Sequence, residues 1–172
     1  YGLHNMPGMP VGAFATRPGP LMASEDNFEI RIRGKGGHAA RPHVANDPLV
    51  IAAHMILALQ TIVSRRVPAF DTAVVSVTEI LTDGTRNVLP ETVTLKGDTR
   101  SYSASVQQTI ETEMRKLAEG IAASFGAEVQ VDYSHEFAAT VNHDAPSRHA
   151  LATAQRTPGI VAVDDKPEPL MG

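Results

Sequence analysis

The segment most suggestive of chemistry is the glycine-rich run 34–43, GKGGHAARPH, which contains two histidines. Its three glycines allow the backbone to adopt positive φ and to approach a ligand closely. Because Pro42 disfavours helix in the residue before it, His38 and His43 need not share one face as a metal-binding pair would. His38 could instead donate a hydrogen bond to a developing oxyanion. The alternative is an ordinary surface histidine.

A second candidate is His4, in the run GLHNMPGMPVG. The prolines and glycines that follow it hold the backbone in a fixed, non-helical course. A histidine at the end of a strand and before a rigid loop is well placed to bind a metal ion. No second ligand stands at a regular spacing from His4, so a loop histidine without a partner is the alternative.

Two further polar residues could bind a ligand. Asn87, in TRNVLPE, follows a turn, and its amide could bind an amide or a carboxylate or could only stabilise the turn. Arg100, in VTLKGDTRSY, could capture a carboxylate through two parallel hydrogen bonds, or it could pair with Asp98. A loose polar group later in the chain is interpreted mostly as solvated loop: His135, Glu136, His143 and Asp144.

The elements that position these residues follow the order β-α-β-β-α-β over about 27–134. Alternation or Val and Thr enrichment predicts strands at 27–33, 72–81, 92–102 and 128–133. The first helix begins after Asn46 or Asp47 and ends near residue 66, and its predicted apolar face comprises Leu49, Ala52, Ala53, Ile56, Leu59 and Val63. The second begins after Ser103 or Ser105 and ends at Gly126. This order predicts a ferredoxin-like unit, with two helices on one face of a four-stranded antiparallel sheet.

The flanking segments look like pieces of a second domain into which this unit is inserted. We therefore expect boundaries that separate residues 1–22, 23–136 and 137–172. The last segment is predicted to hold a short helix around 147–156, a strand near 159–163 and a proline-rich stretch. Both chain ends fall within motif-like runs, as cuts through a larger fold would.

Composition limits the class of protein. Hydrophobic residues make up 42% of the 172 residues and charged residues 20%, which predicts a packed globular core. The net charge of -4 argues against nucleic-acid binding, and the absence of cysteine excludes disulfides and thiolate metal sites within the chain. No apolar run approaches the ~20 residues of a membrane span, and no signal peptide is visible. We expect a cytoplasmic protein.

Taken in order, five motifs resemble one family. GLHNMPGMPVG, GKGGHAARPH, TRNVLPE, GDTRSY and EPLMG are similar to motifs of the metal-dependent aminoacylase and carboxypeptidase family. Within it the likeness is greatest to hippurate hydrolases and N-acyl-amino-acid amidohydrolases. The resemblance implies a zinc-peptidase-like α/β catalytic domain with two divalent metal ions, zinc or manganese. It also implies an inserted ferredoxin-like lid, residues 23–136, that forms a homodimer.

The resemblance implies a role for each motif residue. His4 matches a metal ligand of the catalytic domain. His38 matches the lid histidine that reaches the partner subunit's active site and polarises the scissile carbonyl. Asn87 and Arg100 match lid residues that hold the N-acyl amino acid, Arg100 at its carboxylate. Gly172 matches a position whose backbone helps to bind the substrate.

The family's remaining catalytic residues are not in this chain. It contains no Cys-x-His, no His-x-Asp and no Glu-Glu sequence, so the other metal ligands and the general base are missing. We expect the chain alone to be inactive. Two other functions remain open from the sequence: an interaction module that dimerises without catalysis, and a regulatory domain that binds an amino acid.

Overall fold

The computed structural model describes residues 1–171, which form two compact units. One unit comprises residues 24–139. The other combines residues 1–23 with the described residues from 140 onward. The chain therefore leaves the second unit once and returns to it once, which is the topology of an inserted domain. The boundaries predicted from the sequence lie between residues 22 and 23 and between residues 136 and 137.

The described residues form ten strands and three α-helices. The strands are β1 Ala13–Ala15, β2 Gly19–Met22, β3 Glu25–Arg33, β4 Gly37–His38, β5 Ala73–Thr82, β6 Val88–Leu89, β7 Thr92–Ser101, β8 Glu128–Phe137, β9 Thr140–Asn142 and β10 Ala162–Asp164; the helices are α1 Pro48–Arg65, α2 Ala104–Ser124 and α3 Asp144–Ala154.

The unit of residues 24–139 is built on a four-stranded antiparallel sheet in the order β5-β7-β3-β8. In the two central strands Ile30 lies opposite Leu95, and on its other side it lies opposite Val131. Helix α1 packs over the β5 side of the sheet and α2 over the β8 side. The predicted ferredoxin-like arrangement is confirmed.

The core of this unit follows from strand alternation. In β3, Phe28, Ile30 and Ile32 are buried against the helices, while the residues between them face the opposite side of the sheet. That opposite face carries charged residues that pair across strands, including Lys96 with Glu29. One face is therefore apolar and helix-covered, and the other is polar.

Helix α1 is oriented differently from the prediction. The buried residues are Pro48, Ile51, Ala52, Met55, Leu59 and Ile62, whereas Leu49, Ala53 and Val63 of the predicted face are exposed. The prediction was wrong because this helix is apolar on nearly every side, so spacing alone cannot select the buried face. The same composition makes α1, at 18 residues, long and apolar enough to cross a membrane. The expectation that no segment approaches that length is corrected, although α1 contributes to the core here.

The helix ends agree with the expected capping residues. Asp47 caps α1 by accepting a hydrogen bond from the Leu49 amide at 2.9 Å. Ser103, rather than Ser105, caps α2, because its hydroxyl accepts from the Val106 amide at 3.3 Å. After α2 the chain turns at Gly126 with φ of +63°, which a residue without a side chain adopts most easily.

The other unit contains two small strand pairs and one helix. Strands β1 and β10 pair in parallel, and β2 pairs with β9 in antiparallel fashion. Helix α3 begins three residues before the predicted helix, and the last strand begins at Ala162 rather than near residue 159. All-parallel sheets occur almost only in α/β domains, where helices cover both faces of the sheet.

Candidate functional site

The structure brings His38 and Asn87 together, although 48 residues separate them in the sequence. Strand β4 pairs with β6, so that His38 lies opposite Val88. The Ala39 amide also donates a hydrogen bond to the carbonyl oxygen of Asn87 at 3.0 Å. Both side chains are exposed. We call the segments 37–40 and 85–89 the His38–Asn87 tip.

The backbone determines which nitrogen of His38 is the donor. The Ala40 amide donates a hydrogen bond to Nδ1 of His38 at 3.1 Å. Since Nδ1 accepts, the proton of the neutral imidazole is on Nε2. An exposed Nε2–H donor is what stabilisation of an oxyanion requires.

The glycines of this loop serve close packing rather than unusual backbone angles. None of Gly34, Gly36 and Gly37 has a positive φ, so the loop does not use the backbone freedom that these glycines allow. A Cβ added at Gly34 would lie 2.1 Å from the carbonyl oxygen of Asn46, and one added at Gly36 would lie 2.9 Å from that of Leu89. The loop therefore holds its place because two backbone segments approach it more closely than a side chain permits.

Asn87 lies in a tight turn. The amide and the carbonyl of Thr85 both bond to Val88, each at 3.1 Å, so the turn is held by its own backbone. The Asn87 side chain receives only a long contact of 3.5 Å from the Thr85 hydroxyl. The side-chain amide of Asn87 therefore contributes little to the stability of the turn and is exposed to solvent.

Arg100 lies on the polar face of the sheet between two carboxylates. Its Nε donates to Oδ2 of Asp98 at 2.9 Å, and its Nη1 is 3.2 Å from Oε2 of Glu25. The hydrogen bond to Asp98, followed by the negative charges of Asp98 and Glu25, raises the pKa of Arg100, although partial burial opposes this. The guanidinium is thus permanently charged, and the pair with Asp98 that the sequence left open is present.

Arg100 and the His38–Asn87 tip lie at opposite ends of the sheet. The tip precedes the first residue of β7, Thr92, and Arg100 is the ninth residue of that strand. At the rise of an extended strand, eight residues correspond to about 27 Å. His38 and Arg100 of one chain are therefore too far apart to contact the same small molecule.

The remaining predicted site residues are less informative. His4 is exposed, and residues 1–12 contain no strand or helix, so the expected strand end before it is not found. Within residues 1–171 no group of three or more His, Asp or Glu side chains is arranged to hold a metal ion. Gly172 lies outside the described residues.

The sequence did not reveal a buried polar cluster around Asp26. Asp26 is fully buried; its Oδ1 accepts from Gln107 at 2.6 Å and lies 2.8 Å from Nδ1 of His135. Nε2 of His135 lies 3.3 Å from Oε2 of Glu111 on α2. The interpretation of His135 as a solvated loop residue was wrong, because β8 extends to Phe137 and pairs His135 with Asp26. The sequence did contain an indication of this burial. Asp26 lies two residues before Phe28, so the alternation of β3 places both side chains on the same, buried face.

The pKa values in this cluster are shifted by its geometry. The hydrogen bond to Asp26 is the largest cause that raises the pKa of His135 above 6.5, with the charges of Asp26 and Glu111 adding to it and burial opposing. Burial raises the pKa of Tyr133, whose hydroxyl is 2.5 Å from that of Thr99. The two carboxylates therefore favour the protonated form of His135.

The fold and the motifs together define a family. The model of the peptidase dimerisation domain of the M20 peptidases matches residues 26–125, and the chain belongs to this family. The resemblance seen in the sequence is confirmed. Over 169 residues, or 98% of the chain, it is 37% identical to N-acetylcysteine deacetylase of Bacillus subtilis. It is 35% identical over 95% of its length to N-acetyldiaminopimelate deacetylase of Shouchella clausii.

Solved structures support the same relationship. A dinuclear metal-binding peptidase of the M20 family from Bacillus subtilis, the YXEP protein, is similar with a TM-score of 0.73 and 31% identity. The alignment covers 96% of this chain and 41% of that one. The chain spans 44% of the length of each of the two deacetylases. The relatives are thus amidohydrolases more than twice as long as this chain.

Proposed function

We propose that this chain is the lid-containing part of a metal-dependent amidohydrolase that cleaves N-acyl amino acids, including hippurate-like compounds. The observation that carries the proposal is the hydrogen bond from the Ala40 amide to Nδ1 of His38, which leaves Nε2–H as an exposed donor. In the proposed reaction this donor stabilises the oxyanion that forms when the amide carbonyl is attacked. The names of the deacetylase relatives support an N-acyl substrate.

The active site of the proposed enzyme combines residues from two subunits. The amide carbonyl and the carboxylate of an N-acyl amino acid are only about 5 Å apart, whereas about 27 Å of strand β7 lies between Thr92, next to the His38–Asn87 tip, and Arg100. We therefore assign Arg100 to the substrate carboxylate in its own subunit. The His38–Asn87 tip acts on the substrate of the partner, and Asn87 contacts the substrate beside His38.

The proposed homodimer uses the β5 side of the lid. The outer edge of β5 is unpaired in the part of the chain that the structure describes, and its exposed residues include Ile80 and Leu81. Helix α1 packs over the same side and exposes Val50 and Leu57, the latter by 71%. An apolar strand edge beside an apolar helix face favours pairing with a second copy. The match to a dimerisation domain supports this arrangement.

The metal centre belongs mostly to the parent enzyme. His4 supplies one imidazole, but a catalytic zinc site needs about three protein ligands, and residues 1–171 do not complete one. The residues present therefore do not fit a metal centre by themselves, and we assign His4 only as one ligand of a site for divalent zinc or manganese. Completion of the parallel β1–β10 pair by further strands would place His4 in a larger α/β domain. We also propose that the enzyme is cytoplasmic.

An interaction module without catalysis is the second candidate. The exposed apolar surface formed by α1 and β5 favours it, since dimerisation alone would account for that surface. It does not account for the orientation of His38 by the Ala40 amide. A regulatory amino-acid-binding domain ranks third.

Mixed dimers of the parent enzyme test the proposal. A subunit with His38→Ala is combined at random with a subunit with Arg100→Ala, and hydrolysis of N-acyl amino acids is measured. If His38 acts in the partner's site, half of the dimers are mixed and each has one intact site, so about a quarter of wild-type activity returns. Each homodimer alone should lose about 100-fold or more in kcat/KM.

A matched pair of variants is the control. His38→Ala combined with Asn87→Ala should recover no activity, because both changes affect the same tip and no mixed site is intact. His43→Ala, an exposed neighbour on the same loop, should leave activity near wild type. Recovery with the His38 and Asn87 pair, or none with the His38 and Arg100 pair, would contradict the proposed assignment to two subunits.

A further inference from the structure

The two carboxylate contacts of Arg100 compete with the bidentate binding of a substrate carboxylate that is expected of it. Bidentate capture of a carboxylate uses either Nε with Nη2 or Nη1 with Nη2. Asp98 occupies Nε and Glu25 occupies Nη1. The single hydrogen of Nε is taken by Asp98, so the Nε and Nη2 pair is blocked. Nη1 has two hydrogens, and Glu25 competes there with an incoming carboxylate for the Nη1 and Nη2 pair.

The charges around Arg100 also oppose an anion. Two carboxylates surround one guanidinium, and their negative charges exceed its positive charge by one. All three side chains are partly shielded from water, with exposures of 22% for Arg100, 34% for Glu25 and 29% for Asp98. Partial burial weakens solvent screening, so an approaching carboxylate is repelled unless one of the two resident carboxylates moves away.

Glu25 is the carboxylate that can leave. Its contact with Arg100 is longer than that of Asp98, 3.2 Å against 2.9 Å, and it is the more exposed of the two. Glu25 is the first residue of β3, where the pairing with β8 is irregular, and its side chain is one methylene longer. Asp98 lies in the middle of a paired strand, two residues before Arg100.

We propose that Glu25 occupies the substrate-carboxylate position on Arg100 and sets the specificity of this site by competing with the substrate for the guanidinium. The inference rests on the proposed function, in which Arg100 binds the substrate carboxylate. Binding then exchanges one carboxylate for another, and Glu25 moves into solvent. Glu25 thereby lowers the affinity for any carboxylate and affects neutral ligands little.

The test uses this chain and needs no catalysis, so its outcome is independent of the mixed-dimer experiment. Acetate is titrated into wild-type and Glu25→Gln protein, and the Nε–H resonance of Arg100 is followed by NMR. We expect Glu25→Gln to bind acetate roughly fivefold more tightly, the effect of removing one partly exposed ion pair. Acetamide, which has no charge, should shift the resonance equally little in both proteins.

Two controls make the result specific. Glu79→Gln removes the same charge from an exposed position opposite Lys96, and it should leave the acetate affinity of Arg100 unchanged. Glu25→Ala should reproduce the effect of Glu25→Gln, and dispersed amide resonances will show that this variant is folded. Equal acetate affinity in wild type and both Glu25 variants, or an equal gain with Glu79→Gln, would overturn the inference and leave Glu25 as a structural partner of Arg100.

Discussion

Replacement of Asp26 by asparagine is expected to weaken the lid unit in a pH-dependent manner. Asp26 is fully buried and accepts hydrogen bonds from Gln107 at 2.6 Å and from His135 at 2.8 Å. Asparagine has the same shape, but it carries no charge and replaces one carboxylate oxygen by an amide. The substitution therefore removes the negative charge that faces His135 without creating a cavity.

The magnitude follows from these two bonds. A hydrogen bond to a charged group contributes about 1.5–3 kcal/mol, but the His135 side chain is 48% exposed, so solvent screening reduces its share to about 1 kcal/mol. Weakening of the buried Gln107 bond adds about 1 kcal/mol. We expect Asp26→Asn to lower the free energy of unfolding by about 2 kcal/mol, equivalent to roughly 4–8 °C in Tm.

The pH dependence has a definite sign. Because the folded-state pKa of His135 is raised above 6.5, the folded protein holds this proton more tightly than the unfolded chain does. The resulting stability is fully present below pH 6.5 and is lost as the pH rises through the folded-state pKa. The difference between wild type and Asp26→Asn should therefore be largest in mild acid and should shrink in mild alkali.

Urea denaturation followed by circular dichroism at several pH values measures this difference. Asp132→Asn is the matched control, since Asp132 is 53% exposed and makes only surface contacts, a long one of 3.7 Å with Arg31 and hydrogen bonds from Gln130 at 3.1 Å. It should change stability by less than about 0.5 kcal/mol. The reasoning is refuted if Asp26→Asn costs no more than the control, or if its cost is the same on both sides of neutral pH.

Two further predictions concern packing and catalysis. Gly97→Ala should cost about 3 kcal/mol in denaturant unfolding, since its Cβ would lie 2.0 Å from the carbonyl oxygen of Ser76 and 2.3 Å from the Phe28 ring. Gly120→Ala, with nothing within 4 Å, should instead stabilise α2 by about 0.5–1 kcal/mol; a similar effect of both changes would contradict this account. The purified chain should hydrolyse no hippurate or N-acetyl amino acid with added zinc or manganese, and metal-dependent turnover would show that it holds a complete site.

Short-range patterns predicted most of the fold. The alternation of Phe28, Ile30 and Ile32 indicates a strand with one buried face, and that strand is β3. Asp47 and Gly126 marked helix ends because capping depends only on residues a few positions away. Where a segment is apolar on all sides, as α1 is, the pattern carries no direction, and the packing of α1 against the sheet decided which face is buried.

The candidate site was only partly predictable, because several of its contacts join residues that are far apart in the sequence. The sequence by itself determined which residue types could bind a ligand, namely His38, Asn87 and Arg100, and the order of elements that carries them. Only the tertiary structure decided that His38 and Asn87 share one tip, that Arg100 is held by Glu25, and that His135 pairs with Asp26 across 109 residues. Local spacing reports the period of one helix or strand, whereas these contacts arise from strand pairing and register, which depend on the whole chain.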